Sequence, residues 1–287
     1  MPNLSILVLG LGQVAIGYDI DRPNLTIKSH LYAIHEYEKL EKIKFDIFAV
    51  DPDYIKRDRA FKHFPTIRYF SSLSEIQRDS FDLVINAVPI SNLFEVTSEV
   101  HNRFAYRNFF IEKPGVANVD EAMEFNRFFS RNSNVHIAYP RRVLKSTTYL
   151  KDLLELDSYR SRKIEVNYSG HPENILTHFL DVIESVLPIE VLQKFMDFDN
   201  ITITQTSENN NNDHAIIFNG DSRIVYEKGG MQVSDSKGNR MDFTSEIESQ
   251  IWHTAKSYLN ISRQLESSKF PNSISQFIIK ALGRRDG

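Results

Sequence analysis

Apolar residues arrive in two rhythms along this chain. In the first half they come in short unbroken runs: LSILVL at residues 4–9, FDIFAV at 45–50, LVINAV at 83–88, a brief one at 109–111 and VHIAY at 135–139. Runs of this length and β-branched content are what strands buried on both faces require. Between them the apolar positions recur at helical spacing, over residues 31–42, 93–103 and 119–131. Strands alternating with helices predict βαβ units and a parallel sheet.

After Tyr139 the pattern changes. A helix over 144–156, a strand over 163–168 and a helix beginning near Glu173 are followed by short alternating runs from 201 to 243. Turn signals separate those runs, among them the asparagines at 209–212 and the glycine pair at 229 and 230, as in an antiparallel sheet. Helical patterns over 245–259 and 273–282 close the chain. The expected fold is α/β: a doubly wound parallel sheet in residues 1–140, then an α+β domain with an open, mainly antiparallel sheet in 141–287.

Composition narrows the function classes. A 287-residue chain with 41% apolar and 25% charged residues is ordinary for a globular protein. A formal net charge of −4 gives no general attraction to nucleic acid or anionic membrane. The basic cluster Lys56, Arg57 and Arg59 lies among acidic neighbours and reads as a solvated face. Cysteine is absent, which excludes disulfides, a thiol nucleophile and thiolate metal sites. The nine histidines show no ligand spacing, and no metal is expected. The opening apolar run leads into glycines and not a cleavage site, and nothing approaches the roughly 18 uncharged residues of a membrane helix. A cytoplasmic protein is expected.

The first strand runs into Gly10-Leu11-Gly12-Gln13-Val14-Ala15. This is the G-x-G-x-x-G/A form of a Rossmann-type dinucleotide site. Gly10 permits a tight turn, Gly12 lets the backbone approach a pyrophosphate at a helix N-terminus, and Ala15 keeps helix and strand close. Asp51 ends the second strand, where a carboxylate can bond adenosine ribose hydroxyls and repel a 2′-phosphate, which points to NAD, with NADP as the alternative. The other reading of Asp51 is a strand-end turn residue in Asp-Pro-Asp. Such an acid usually follows the glycines by about 20 residues, and here the gap is about twice that. Residues 18–28 therefore read as an inserted loop, after which the helix resumes at Ser29 and His30.

The fourth strand exits through Glu112-Lys113-Pro114. Taken with GLGQVA, the INAVP segment at 85–89 and the layout of both halves, the chain resembles the glucose–fructose oxidoreductase, inositol dehydrogenase and MocA family. The resemblance implies that Lys113 reaches the active site, contacting substrate or the nicotinamide ribose, and that the bond before Pro114 is often cis. It adds Val88, Pro89 and Glu112 to the cofactor-binding set. A lysine at a strand's C-terminal end is placed to hold a developing oxyanion.

In the helix near 173–187, Asn174, His178, Asp181 and Ser185 recur at i, i+4, i+7 and i+11, opposite an apolar face. By residues alone, His178 is either a site histidine or an exposed helix histidine. The resemblance implies that it is the general acid/base, a task suited to an imidazole. Asp181 could orient it. Many members carry aspartate where this chain has Asn174, and an amide cannot carry that charge. Tyr139, Arg141 and Arg142 resemble a segment that borders the substrate pocket in that family, where an arginine could clamp a carboxylate or phosphate; a hinge-surface salt bridge is the other reading of these arginines.

The expected function is hydride transfer between a nicotinamide and a sugar, sugar derivative or nucleotide-sugar, with Lys113, His178 and Asn174 as the catalytic set. Two rivals follow from Asn174: a dinucleotide- or sugar-binding regulatory protein, and a reductase of an imine or conjugated double bond. The resemblance also implies a homodimer or homotetramer formed through the open sheet, with Ile216, Phe218, Ile224 and Tyr226 as the apolar positions to be covered.

Overall fold

The computed structural model describes residues 4–21, 27, 29–115, 121, 124, 125, 127, 128, 131, 132, 134–139, 141, 145–156, 164–170, 175–187, 201–205, 214–218, 222–227, 230–235 and 237–243. They form two compact units that part between Ala138 and Tyr139.

In the first unit, six strands form a parallel sheet: β1 (Ser5–Leu9), β2 (Asp46–Val50), β3 (Arg68–Phe70), β4 (Ser80–Asn86), β5 (Ala105–Glu112) and β6 (Val135–Ala138). Their order is β3-β2-β1-β4-β5-β6, the doubly wound order expected of a Rossmann-type sheet. Alternate residues feed two cores. Leu7, Leu9, Phe48, Val84 and Phe109 belong to one, and Ile6, Val8, Ile47, Ala49 and Phe110 to the other. Burial on both faces is why these segments are apolar without alternation. In register, Leu9 lies opposite Val50 and Asn86, Asn86 opposite Ile111, and Glu112 opposite Ala138. The strands' C-terminal ends therefore share one edge.

Two elements carry no readable pattern. β3 is three residues long and none of them is fully buried. The helix Tyr54–His63 buries only Ala60 and leaves Tyr54, Ile55 and Phe61 exposed, so it shows no apolar stripe. Its start is fixed by the Asp53 carboxylate, which accepts the Ile55 N–H at 2.9 Å. The segment expected to be a loop from residue 18 begins instead with a helical turn, α1 (Tyr18–Asp21), and the chain re-enters helix at α2 (His30–Glu41). With α1 and α2 counted, Tyr54–His63 is α3, and α4 (Ile90–Arg103) follows β4. The helix expected over 119–131 lies partly outside the described residues, of which Glu121, Glu124, Phe125, Arg127, Phe128 and Arg131 are helical.

The second unit holds a sheet of β7 (Ile164–Tyr168), β8 (Ile201–Gln205), β9 (His214–Phe218), β10 (Ser222–Glu227), β11 (Gly230–Ser234) and β12 (Arg240–Asp242), in the order β12-β11-β10-β9-β7-β8. It is antiparallel except at one place. β8, read from sequence as part of the antiparallel run, pairs parallel to β7. The helices α5 (Lys145–Leu156) and α6 (Leu176–Val186) pack on one another, and α5 also meets β11. Val166, Ile216, Ile224 and Val233 lie abreast across four strands and are fully buried. This corrects one expectation: Ile216, Phe218 and Ile224 are buried by the chain's own packing and are not held open for a partner copy. The expected helices over 245–259 and 273–282 and the tip at 209–212 lie outside the described residues. No helix among the described residues is long and apolar enough to cross a membrane.

His136 on β6 stacks on Phe110, with ring centroids 4.9 Å apart, and burial pushes its pKa below the ordinary imidazole value. The unfolded chain then binds a proton more readily than the folded one, so stability rises with pH across this range. We expect wild-type stability to fall as pH drops from about 7 through the ordinary histidine range near 6.5. His136→Gln should flatten that part of the profile in urea unfolding measured at several pH values.

Candidate dinucleotide and substrate site

At the end of β1 the main chain passes between its two neighbours. The Gly10 N–H donates to the Val50 carbonyl, and the Ala87 N–H donates to the Leu9 carbonyl, both at 2.8 Å. Gly10 has φ +80°, and a Cβ there would lie 2.7 Å from the Ala87 oxygen and 2.9 Å from the Val88 nitrogen. Only glycine fits. Gly12 differs in kind. Its φ is −78°, which any residue adopts, and nothing lies within 4 Å of where its Cβ would be. Gly10 is demanded by the protein, whereas the space over Gly12 is open to a ligand.

The turn after Gly12 is a π-helical one, Gln13–Gly17, leading directly into α1. Both the Ile16 and the Gly17 N–H reach the Gly12 carbonyl at 3.1 Å. No side chain caps this turn at Gly12. Ala15 and Ile16 are buried in the core, as the role read for Ala15 requires, while Gln13 is exposed and Val14 half-buried. A turn of this kind, with amide donors at its start and room before them, fits a pyrophosphate.

Asp51 fills the strand-end turn of Asp-Pro-Asp and also takes a contact that was not foreseen. It is 4% exposed, and its Oδ2 accepts the Leu11 N–H at 2.7 Å while Oδ1 accepts the Asp53 N–H at 2.9 Å. The carboxylate thus ties the glycine turn to the end of β2. Lys56 Nζ stands 3.8 Å from Oδ2, and Arg57 donates to the Asp51 carbonyl. Two of the three basic residues read as a solvated face therefore engage this aspartate. At the end of β4, Asn86 is fully buried and donates to the Leu93 carbonyl and to Thr97 Oγ1 of α4, both at 3.1 Å, while its Oδ1 accepts from Val88, whose nitrogen lies beside Gly10.

At the end of β5, Glu112 precedes Lys113, and the Lys113–Pro114 peptide is cis. Gly115 has φ +94°, with the Phe125 ring 3.1 Å from where a Cβ would lie. Glu112 Oε1 accepts from His30 Nε2 at 2.9 Å, and His30 is 2% exposed. The residue before it, Ser29, donates its N–H to Asp19 Oδ2 at 2.7 Å and its hydroxyl to the same oxygen. Burial and the Asp19 carboxylate together push the Tyr32 phenol up. None of Asp19, Ser29 or His30 was singled out as a site residue. They carry no motif, and their meeting with Glu112 spans 82 positions.

In the second unit, β7 leads through Ser169 to Gly170, whose φ is +100°. α6 then begins, and it is buried almost all round. Leu176, Thr177, Phe179, Leu180, Asp181, Val182, Ile183 and Val186 are all covered. The polar positions opposite the apolar stripe are accordingly not a solvated face: Asp181 is 0% exposed and His178 half-buried. His178 is thus neither fully exposed nor fully covered. The Tyr139 ring meets the His178 ring edge-on at 6.3 Å, so these two predicted residues come together. Arg141, 9% exposed, lies over the Phe179 ring at 5.2 Å, and His214 Nδ1 accepts the Ser169 N–H at 3.1 Å beside the same ring. His214 was missed, because a histidine opening a short strand has no signal of its own. Asn174 and Arg142 lie outside the described residues. Lys113 belongs to the first unit and His178 to the second.

No family model matches this chain, nor does any curated protein by sequence. Solved structures do. A WlbA dehydrogenase from Chromobacterium violaceum, in complex with NADH and UDP-GlcNAcA, is 12% identical, with a TM-score of 0.63 over 100% of this chain and 95% of its own. A 3-ketoreductase from Actinomadura kijaniata, in complex with TDP-benzene and NADP, is 10% identical, with a TM-score of 0.66 over 96% of each chain. The super-repressor mutant of Gal80p from Saccharomyces cerevisiae is 11% identical, with a TM-score of 0.66 over 99% of this chain and 97% of its own. The chain has the fold of these proteins. The likeness runs over nearly the full length of each.

The two glycines should separate on substitution. Gly10→Ala is expected to cost about 1–3 kcal/mol from its left-handed backbone, with the contact to Ala87 added. Gly12→Ala should stay within about 0.5 kcal/mol of wild type. Parallel thermal melts check both.

Proposed function

We propose that this chain is an NAD(P)-dependent oxidoreductase that moves hydride between a nicotinamide cofactor and a sugar, sugar derivative or nucleotide-sugar. The observation that carries the reading is the pairing of an obligatory Gly10 with an open Gly12 at the C-terminal edge of a doubly wound sheet. The neighbours bound to NADH with UDP-GlcNAcA and to NADP with TDP-benzene support the cofactor and substrate classes.

When bound, the nicotinamide accepts or supplies the hydride. The chain's own residues do the rest. Backbone amides from Gly12 to Ala15 meet the diphosphate, Asp51 offers its remaining acceptor positions to the adenosine ribose, and Val88 and Pro89 wall the site beside Gly10. Lys113 donates hydrogen bonds to the substrate oxygen and holds its charge as a carbinol C–H leaves as hydride. His178 takes the hydroxyl proton in oxidation and returns it in reduction, with Tyr139 against its ring. Asn174 and Arg142 complete the substrate set, Asn174 as a neutral hydrogen-bonding partner and Arg142 as an anion clamp. The Asp51 carboxylate disfavours a 2′-phosphate, which makes NAD the first cofactor, while the nearby Lys56 keeps NADP as the alternative.

A second reading has its own support. Asn174 replaces a carboxylate in the resemblance, and one neighbour of full-length match is a super-repressor. Under it the chain binds the same ligands without redox turnover. Reduction of an imine or conjugated double bond is a further variant that relies less on the missing carboxylate. The protein is read as a cytoplasmic homodimer or homotetramer that binds neither nucleic acid nor membrane. The open sheet face bearing the half-buried Glu165, Asn167 and Ile217 is its supporting feature.

NADH and NADPH fluorescence titrations test the common part. Wild type should bind, and Gly12→Val should stay folded yet weaken binding at least about tenfold, or about 1.4 kcal/mol. Turnover of sugars or nucleotide-sugars separates the enzyme from the regulator. If neither dinucleotide binds, the oxidoreductase reading is wrong.

A further inference from the structure

His30 has no part in the reading above. It is nonetheless 2% exposed and bonded at 2.9 Å to the carboxylate that immediately precedes Lys113. A buried imidazole spent on a half-buried carboxylate demands a reason, since both groups give up water for the contact. What the pair fixes is direction. Glu112 is the last residue of β5, so holding its side chain sets the orientation of the strand end from which the next residue departs. His30 is itself held. Its neighbour Ser29 is bonded through both N–H and hydroxyl to Asp19, and Asp19 lies in α1, which continues without a break from the π-helical turn behind Gly12. A covalent and hydrogen-bonded path thus runs from the glycine turn through Asp19, Ser29, His30 and Glu112 to Lys113. The Asp19–Ser29 contact ties α1 to the N-cap of α2.

We propose that His30 is a positioning residue for Lys113, acting through Glu112, and that the Asp19–Ser29 contact anchors it to the dinucleotide turn. The proposal takes the role of Lys113 from the functional reading, but its effect on the lysine exists in the free protein.

The test is carbon NMR of the full chain with its lysines reductively ¹³C-dimethylated and the Lys113 resonance assigned by Lys113→Arg. His30→Leu should displace or broaden the Lys113 resonance while Lys39 and Lys56 stay in place. His30→Gln, whose amide still donates to Glu112, should return it toward the wild-type position. NADH affinity should fall less in His30→Leu than in Gly12→Val. A Lys113 resonance in His30→Leu that coincides with wild type overturns the proposal. If His30→Leu does not fold, Glu112→Gln decides in its place: a displaced resonance supports the proposal, and an unmoved one overturns it. Failure of wild type to bind NADH would sink the oxidoreductase reading alone, because the Lys113 comparison needs no ligand.

Discussion

The first unit depends on one crowded crossing. At Gly10 the main chain leaves β1 while bonded to β2, with the start of the β4–α4 connection so close that no Cβ can be accommodated. That contact follows from the doubly wound order, because β1 lies at the centre and its exit must pass between two parallel neighbours. Two residues on, nothing lies within 4 Å of where a Cβ of Gly12 would be.

Buried polar contacts then hold the surroundings of that opening. Asp51 clips the turn to β2, Asn86 clips α4 to β4, and His30 with Glu112 clips α2 to β5. Each joins a strand's C-terminal end to the connection or helix beside it. Left unpaired, any of these groups would be costly to bury, so each contact serves specificity of geometry as much as stability. In the second unit the same economy appears around α6, where Asp181 is fully covered and Arg141 and His214 share the Phe179 ring.

Much of this was legible in the order of residues. Apolar runs gave five of the six strands of the first sheet, because a strand buried on both faces leaves no polar position. The glycine spacing marked the turn, since backbone strain is written in residue type. What stayed hidden was short, exposed or long-range. β3 and α3 lack an apolar pattern because little of them is buried. β8 could not be told from an antiparallel strand, because pairing direction leaves no mark on one strand's sequence. The apolar residues Ile216, Phe218 and Ile224 pointed to a covered face but could not say what covers it, and the chain's own packing does.

Sequence by itself therefore determined the layered α/β plan, the glycine turn and the Glu-Lys-Pro strand exit, since each is encoded by neighbours within a few positions. Tertiary structure alone decided that Gly10 is sterically forced while Gly12 is free, that Asp51 faces inward to the turn, and that His30 meets Glu112. Those facts depend on which distant segments are brought side by side. Hydrogen bonds between residues 40 or 82 positions apart leave no local period for a sequence to display.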